Sequence, residues 1–384
     1  MELLNIIVLE NEPSSRRGGQ ELSLLEVCRG LHAKGHSLTF LYTQPGDLLP
    51  DYEKISKRIL KVHAYQLEPK RSPAAWFRFL SDVLRVPVEV GSVIYSNQYH
   101  DTLFGSALSF LKRVPFVCHL RLKPPSPFCG EWKLGLKGVK HFIAISDNIK
   151  NEWSKRGFDR AKIERVYNGV DLNKFVPSVS LKLSRQRLRL GETDPVISFV
   201  GRLDRVKGIE VLLKAAQSLL LRGKKFKLIL AGKPHDHATP AEGIAYQREL
   251  EAMAQKLTGP DCVHFVGHIA DPILIYQASD VLVLPSVEGE AFGRVLVEAM
   301  ACGIPAVGSR VGGIPEVLSS EFSKFLFETG NTESLAEILN GVLDWRHKDP
   351  RLGARCRQWV GEKFPFSSSI EGIEGILKDT LKKS

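Results

Sequence analysis

Short apolar runs alternate with helix-period segments along most of the chain, the pattern of parallel strands covered by helices. In the first half, the runs at 3–9, 37–42, 92–96, 116–120 and 141–146 predict buried strands. A loop at 10–20 follows the first of them, and then a helix with Leu24, Val27, Cys28 and Leu31 on one face. The second half is cleaner, with strands predicted at 196–201, 226–232, 263–267, 280–285 and 305–309 and helical stretches between most of them. Between the halves, at 168–177, the alternation pauses in a turn-rich stretch that predicts an interdomain link. Near the end, Ser368 and Glu371 have capping-box spacing, and Ile370, Ile373, Ile376, Leu377 and Leu381 follow at helical spacing. A one-sided apolar stripe must pack on something, and the first domain is the expected partner. The pattern therefore predicts an α/β protein of two doubly wound, Rossmann-like domains facing a cleft, 1–173 and 174–364. The helix of 365–384 is expected to cross back onto the first. Ligands of such sheets bind at the carboxyl ends of the strands.

Composition narrows the class without changing this picture. With 384 residues, 43% hydrophobic and 25% charged, the chain can build two full cores. No apolar run approaches the roughly 18 residues that cross a bilayer. The start, from Met1 to Glu10, is too short and too acidic for a signal peptide and reads as a first strand. Six cysteines are scattered with no Cys-x-x-Cys pair, which predicts reduced thiols in a cytoplasmic setting and no disulfide or zinc framework. The net charge of +10 is uneven: residues 1–173 carry 25 lysines and arginines against 18 acidic groups, and the excess lies between 54 and 140. Such a half suits an anionic acceptor, a membrane surface or nucleic acid, or is simply a solvated face. No nucleic-acid recognition module is visible, so nucleic acid fits poorly.

The densest chemistry lies at 290–305. Glu290 and Glu298, with seven residues between them, flank a Phe292-Gly293 step that opens a helix, and Cys302-Gly303-Ile304-Pro305 closes it. The amides around Gly293 and Arg294 then face outward, an arrangement that favours a bound phosphate. A second candidate is the loop after Gly201, where Arg202 and Lys207 could clamp a diphosphate; alone, two loop cations are as readily just solvated. A third is Arg16-Arg17-Gly18-Gly19, either an anion-binding turn at a helix start or a plain tight turn. The fourth is His119, which ends a strand and either points at a cleft or is structural. Neither a Walker loop nor a Gly-x-Gly-x-x-Gly fingerprint is present.

These stretches, together with 143–146, 167–171, 263–268 and 311–316, resemble family 4 of the retaining glycosyltransferases, which have the GT-B fold. The likeness runs in order through nearly the whole chain. It implies that the second domain binds a nucleotide-diphosphate sugar, with Glu298 on the ribose hydroxyls. Arg202 and Lys207 would sit on the diphosphate as it leaves. Glu290 and the backbone at Phe292, Gly293, Arg294 and Val295 would touch the donor sugar and phosphates, Gly201 would lie close to the ligand, and the region of His268 would lie against the base. From the first domain, Gly18, Gly19 and His119 would meet the acceptor side and the transferred sugar. The reaction implied is hexosyl transfer from a UDP- or GDP-sugar with retention, by front-face attack. No metal or other cofactor is expected, the two cations doing a metal's electrostatic work. Glu290 is then a donor-positioning group and not the nucleophile that retaining glycosidases use. The other classes are an epimerase, which would not need the 290–298 block in this form, and a silent nucleotide-sugar binder.

The acceptor is less legible. Residues 70–86 combine aromatics with cations, after Lys54, Lys57, Arg58 and Lys61. Such a helix can lie in a membrane interface with Trp76, Phe77 and Phe79 below the headgroups, or it can be a core helix with Trp76 and Phe79 buried. The first fits a lipid-linked acceptor of cell-envelope polysaccharide or glycolipid synthesis, on a peripheral protein of the inner membrane face. The second fits a soluble sugar or sugar phosphate.

Overall fold

The computed structural model of the protein describes residues 3–67, 72–191, 194–234, 240–258, 262–269 and 271–382. It divides into two compact units, one of residues 1–168 with 367–384 and one of residues 169–366. In the first, a seven-stranded parallel sheet holds β1 (Asn5–Leu9), β2 (Ser37–Tyr42), β3 (Arg58–Lys61), β4 (Ser92–Ser96), β5 (Phe116–Leu120), β6 (His141–Ala144) and β7 (Ile163–Arg165). Their spatial order is β3-β2-β1-β4-β5-β6-β7. In the second, a six-stranded parallel sheet holds β8 (Val196–Val200), β9 (Lys227–Ala231), β10 (Val263–Gly267), β11 (Val281–Leu284), β12 (Ala306–Ser309) and β13 (Leu326–Phe327). Here the order is β10-β9-β8-β11-β12-β13. Helices cover both faces of such sheets, which is why β4, β5 and β11 are largely apolar without alternation and buried at every position.

The expected strands form, most of them trimmed by a residue or two. Ser146 leaves the predicted 141–146 strand because its hydroxyl accepts from the Ile149 amide at 3.1 Å and starts the helix Asp147–Lys155. Three edge or end strands went unpredicted. Charge hides β3, whose Arg58 and Lys61 flank two apolar residues, and β7, which reads Ile-Glu-Arg; β13 has only two residues.

The last helix, Phe366–Lys382, belongs to the first unit. It begins two residues before the predicted cap, so Ser368 lies inside it and does not start it. Ile370, Ile373, Ile376 and Leu377 are buried, and a side chain at Gly30 would collide with Ile370, its Cβ 2.6 Å from that residue. Glu374 fixes the register: its carboxylate takes Lys34 at 2.7 Å, pairs with Lys378, and lies 3.1 Å from Nε2 of buried His36. Burial pushes that carboxyl up, but the hydrogen bonds from Lys34, Lys378 and His36, with the Lys34 charge, more than offset it and hold it at about 2. A depressed carboxyl stabilises the fold above its ordinary value of 4.5 and loses that contribution as pH falls towards 2. Glu374→Gln is therefore expected to cost about 2 kcal/mol at neutral pH, a deficit that shrinks below pH 4.5 and vanishes only below about pH 2. Hydrogen exchange across 366–382 at the two pH values reads it directly.

Candidate active site

In the second unit the order of the sheet reverses at β8. Strands β9 and β10 lie to one side of it, and β11, β12 and β13 to the other. The loops leaving β8 and β11 at their carboxyl ends therefore border a crevice, and the two main predicted stretches are those loops. The first continues the sheet briefly, with the Gly201 amide on the Ala231 carbonyl at 3.0 Å and Leu203 on Lys233 at 2.8 Å. The Asp204 side chain then accepts from the Val206 amide, and the turn Arg205–Lys207 runs into Gly208. Gly208 is left-handed (φ 63°), and a Cβ there would lie 2.2 Å from the Pro285 carbonyl oxygen. That close approach, with Val287 donating to the Val206 carbonyl at 2.9 Å, locks the β8 and β11 loops together.

The lock delivers Lys207 to Glu290. Lys207 Nζ donates to Glu290 Oε2 at 2.7 Å, Ser286 Oγ lies 3.4 Å from the same oxygen, and the Gly293 amide donates to Oε1 at 3.1 Å. Burial alone would raise the Glu290 carboxyl; the Lys207 ammonium and the amides of Phe292 and Gly293 more than offset this and hold it below its ordinary value. The loop after β12 clamps the same residue from behind, where the Gly313 amide donates to the Glu290 carbonyl at 2.9 Å. Gly312 (φ 60°) must be glycine here, since its Cβ would sit 1.8 Å from that carbonyl oxygen.

From Gly293 the helix Arg294–Ala301 starts with a left-handed cap and no side-chain cap. Arg294 and Val295 are half-buried in its first turn. Phe292 turns its ring inward, edge-on to Phe364 at 5.4 Å, so only its backbone can meet a ligand. Glu298 is buried with both oxygens engaged, Oε1 by Arg294 Nε at 2.5 Å and Oε2 by the Tyr276 hydroxyl at 2.7 Å. Each carboxylate oxygen keeps a second lone pair for a further donor. Arg202, half-buried beside Gly201, pairs with no acid among the described residues. His268 is exposed just past β10. The crevice thus offers two cations, two glycine-capped helix starts (Ile209–Leu221 and Arg294–Ala301) and two carboxylates, a set that suits an anion joined to hydroxyl-bearing groups.

In the first unit the reversal falls between β1 and β4. Gly18 caps and Gly19 opens the helix Gly19–Ala33, below a turn in which Arg17 lies 3.6 Å from both Glu12 and Glu21. His119 is buried on β5, with Nδ1 2.6 Å from the Tyr95 hydroxyl and Nε2 without a hydrogen bond. Burial, with the nearby Arg121 charge, drives its protonation well below the ordinary value, so the ring is neutral. Nitrogen spectra of the imidazole should accordingly show the neutral ring at pH 6.5, its ordinary midpoint. A half-protonated ring at that pH would refute this environment.

Three residues missed in the sequence lie alongside. Glu10, Asn97 and Arg121 each come immediately after a strand, β1, β4 and β5. Asn97 donates to Glu10 at 2.7 Å and accepts from Arg121 Nε at 2.6 Å. Around them burial raises the carboxyls of Glu10 and Asp101 and lifts Glu21 to about 8. A polar residue directly behind a buried, largely apolar strand was the signal available for all three.

Residues 182–359 match the family model of glycosyl transferases group 1, and residues 17–174 that of Glycosyltransferase Family 4. An uncharacterized glycosyltransferase of Methanocaldococcus jannaschii is 27% identical over 390 residues, 95% of each chain. A D-inositol 3-phosphate glycosyltransferase 2 of Catenulispora acidiphila is 34% identical over 267 residues, 68% of this chain but 60% of that protein. Among solved structures, Anabaena HepE in complex with UDP and glucose shares the fold, with TM-score 0.82 and 23% identity over 98% of this chain and 100% of that one. With two parallel-sheet α/β units and matches that run through both, the chain belongs to the family 4, group 1 glycosyltransferases of the GT-B fold.

Proposed function

We propose that the protein moves a hexose from a UDP- or GDP-sugar to an acceptor hydroxyl with retention of configuration and without a metal. The observation that carries this reading is the Lys207–Glu290 pair at 2.7 Å, set on the Gly293 helix start where the sheet order reverses. Lys207 and Arg202 meet the diphosphate and take up the charge that develops as it departs. Glu298 accepts from the ribose, and Glu290, kept ionised by Lys207, orients the donor sugar. His119, neutral and with Nε2 open, hydrogen-bonds the transferred sugar, and Gly18 and Gly19 border the acceptor. The leaving phosphate itself takes the acceptor proton, so no enzyme carboxylate forms a bond to the sugar.

The test is a nucleotide panel followed by product analysis. One of UDP, GDP and ADP should raise the melting temperature, since a ligand of the native state stabilises it by about 2.7 kcal/mol at a hundredfold excess over Kd. Turnover of the matching sugar should survive chelator and give the donor's own anomeric configuration. Absence of any nucleotide effect, or inversion, would end the reading. A Glu290→Gln enzyme that trapped sugar covalently on another side chain would equally remove Glu290 from its positioning role.

For the acceptor, the basic first unit supports a lipid-linked carbohydrate of cell-envelope polysaccharide or glycolipid synthesis, reached by peripheral binding at the membrane surface. Among the described residues no helix is long and apolar enough to cross a membrane. A soluble sugar phosphate is the second reading, supported by the name of the Catenulispora relative.

A further inference from the structure

The helix Pro73–Arg85 carries more apolar surface than its own unit covers. At about 100° per residue its inward arc runs through Val83, Phe79, Val86 and Asp82, all buried, with the Phe79 ring edge-on to Phe104 at 5.5 Å. Phe79 therefore faces the core and is not one of the outward aromatics expected from the sequence. Trp76, Leu80, Leu84 and Phe77 continue the same apolar arc outward for a further ~100°. They are 52, 46, 55 and 75% exposed. Beyond them the arc closes on Ser81, Arg85 and Arg78. Arg78 pairs with no acid among the described residues, and Arg85 donates to the Lys61 carbonyl and to Asp82 at 2.7 and 2.9 Å.

Among the described residues the exposed charges around this stripe have one sign. The helix's single acid, Asp82, is buried and held by Arg85 and by His63. The adjoining helix Thr102–Lys112 has no acid, and its Lys112 donates to the Leu84 carbonyl at 2.8 Å; Arg113 follows. Lys57 and Arg58 are paired with Glu89, and Lys54 with Asp51, so these three cations are less available than the sequence implied. Lys70 and Arg71 lie outside the described residues.

Bordered, among the described residues, by arginines and a lysine, the stripe is complementary in charge to an anionic bilayer. We infer that Trp76, Phe77, Leu80 and Leu84 enter the acyl boundary of an anionic membrane while Arg78, Arg85 and Lys112 stay at its headgroups. The helix lies flat, its inner arc still on the core and its cations reaching up to the phosphates. This rests on the membrane-surface reading of the acceptor and names the face that makes the contact.

Flotation of the full chain with phosphatidylcholine vesicles, with and without phosphatidylglycerol, tests it without using activity. Binding is expected only with the anionic lipid, falling as salt rises. Phe77→Ser with Leu80→Ser should weaken it about tenfold or more, and Arg78→Glu about fivefold or more. Brominated lipid should quench a fluorescence component that Trp76→Phe removes. The nucleotide-induced melting shift serves as the control for fold and donor site, and it should be unchanged in all three variants. Wild type that ignores anionic vesicles, binding that survives the double serine variant, or self-association abolished by it would each overturn the inference. Loss of the nucleotide shift in wild type would instead fault the donor reading alone.

Discussion

Replacing Lys207 with alanine is expected to lower kcat/KM for the nucleotide sugar by about 10²–10³-fold, the loss typical of removing one preorganised charge from a transition state. The variant should also gain an acidic limb in its pH profile. In the native crevice Glu290 is ionised because the Lys207 ammonium and the two amides outweigh its burial. Without Lys207, burial dominates and the carboxyl protonates at higher pH, so rate is lost as pH falls through a range where wild type is still active. A variant with an unchanged profile would show that Glu290 is held by the helix amides alone.

The largest stability effect is expected at the other end of β11. Asp280 is buried at the strand's amino end, where Oδ2 takes Arg185 at 2.5 Å and the Val196 amide at 2.7 Å, and Oδ1 takes Arg346 at 2.7 Å. Its carbonyl accepts from Trp345 Nε1 at 2.8 Å. Arg185 is itself buried, and its Nε bonds the Ala278 carbonyl. Asp280→Ala strands that guanidinium without a counterion, which costs about 3–5 kcal/mol. Asp280→Asn keeps the strand amide bonded and should cost less. Thermal melts separate the two variants, while the nucleotide affinity of the folded fraction should not move, because Asp280 lies at the opposite end of β11 from the crevice loops. The same core cluster, built by Val196, Ile229, Ala231, Ile275 and Ala278, then loses its lower staple.

The contrast between the ends of β11 explains what could be read from the residues alone. Glu290, Glu298, Arg202 and Lys207 announce themselves because the strand, the glycine turn and the helix that shape each loop are contiguous in sequence. Gly312 belongs to the same site but is silent, since only the folded chain brings it against the Glu290 carbonyl. Likewise Asp280 reads as an ordinary strand edge until Arg185 and Arg346 arrive from 95 and 66 residues away. In the first unit the Glu10–Asn97–Arg121 chain is assembled from three strand ends with no motif in common. Strands were legible where burial on both faces imposed a continuous apolar run, as in β4 and β5. They were not where an edge position let cations in, as in β3, a protection against edge-to-edge pairing. Helix Pro73–Arg85 was ambiguous for a physical reason: its apolar arc serves both the core and the solvent side, and periodicity cannot divide the two.

The central claim is that the crevice between the β8 and β11 loops holds the nucleotide diphosphate. Hydrogen exchange with and without saturating UDP, or whichever nucleotide raises the melting temperature, tests it most directly. Protection is predicted at 201–208 and 290–298, and should be lost together with the melting shift in the Lys207→Ala protein. Nucleotide binding that left both segments unprotected, or protected only the first unit, would contradict it.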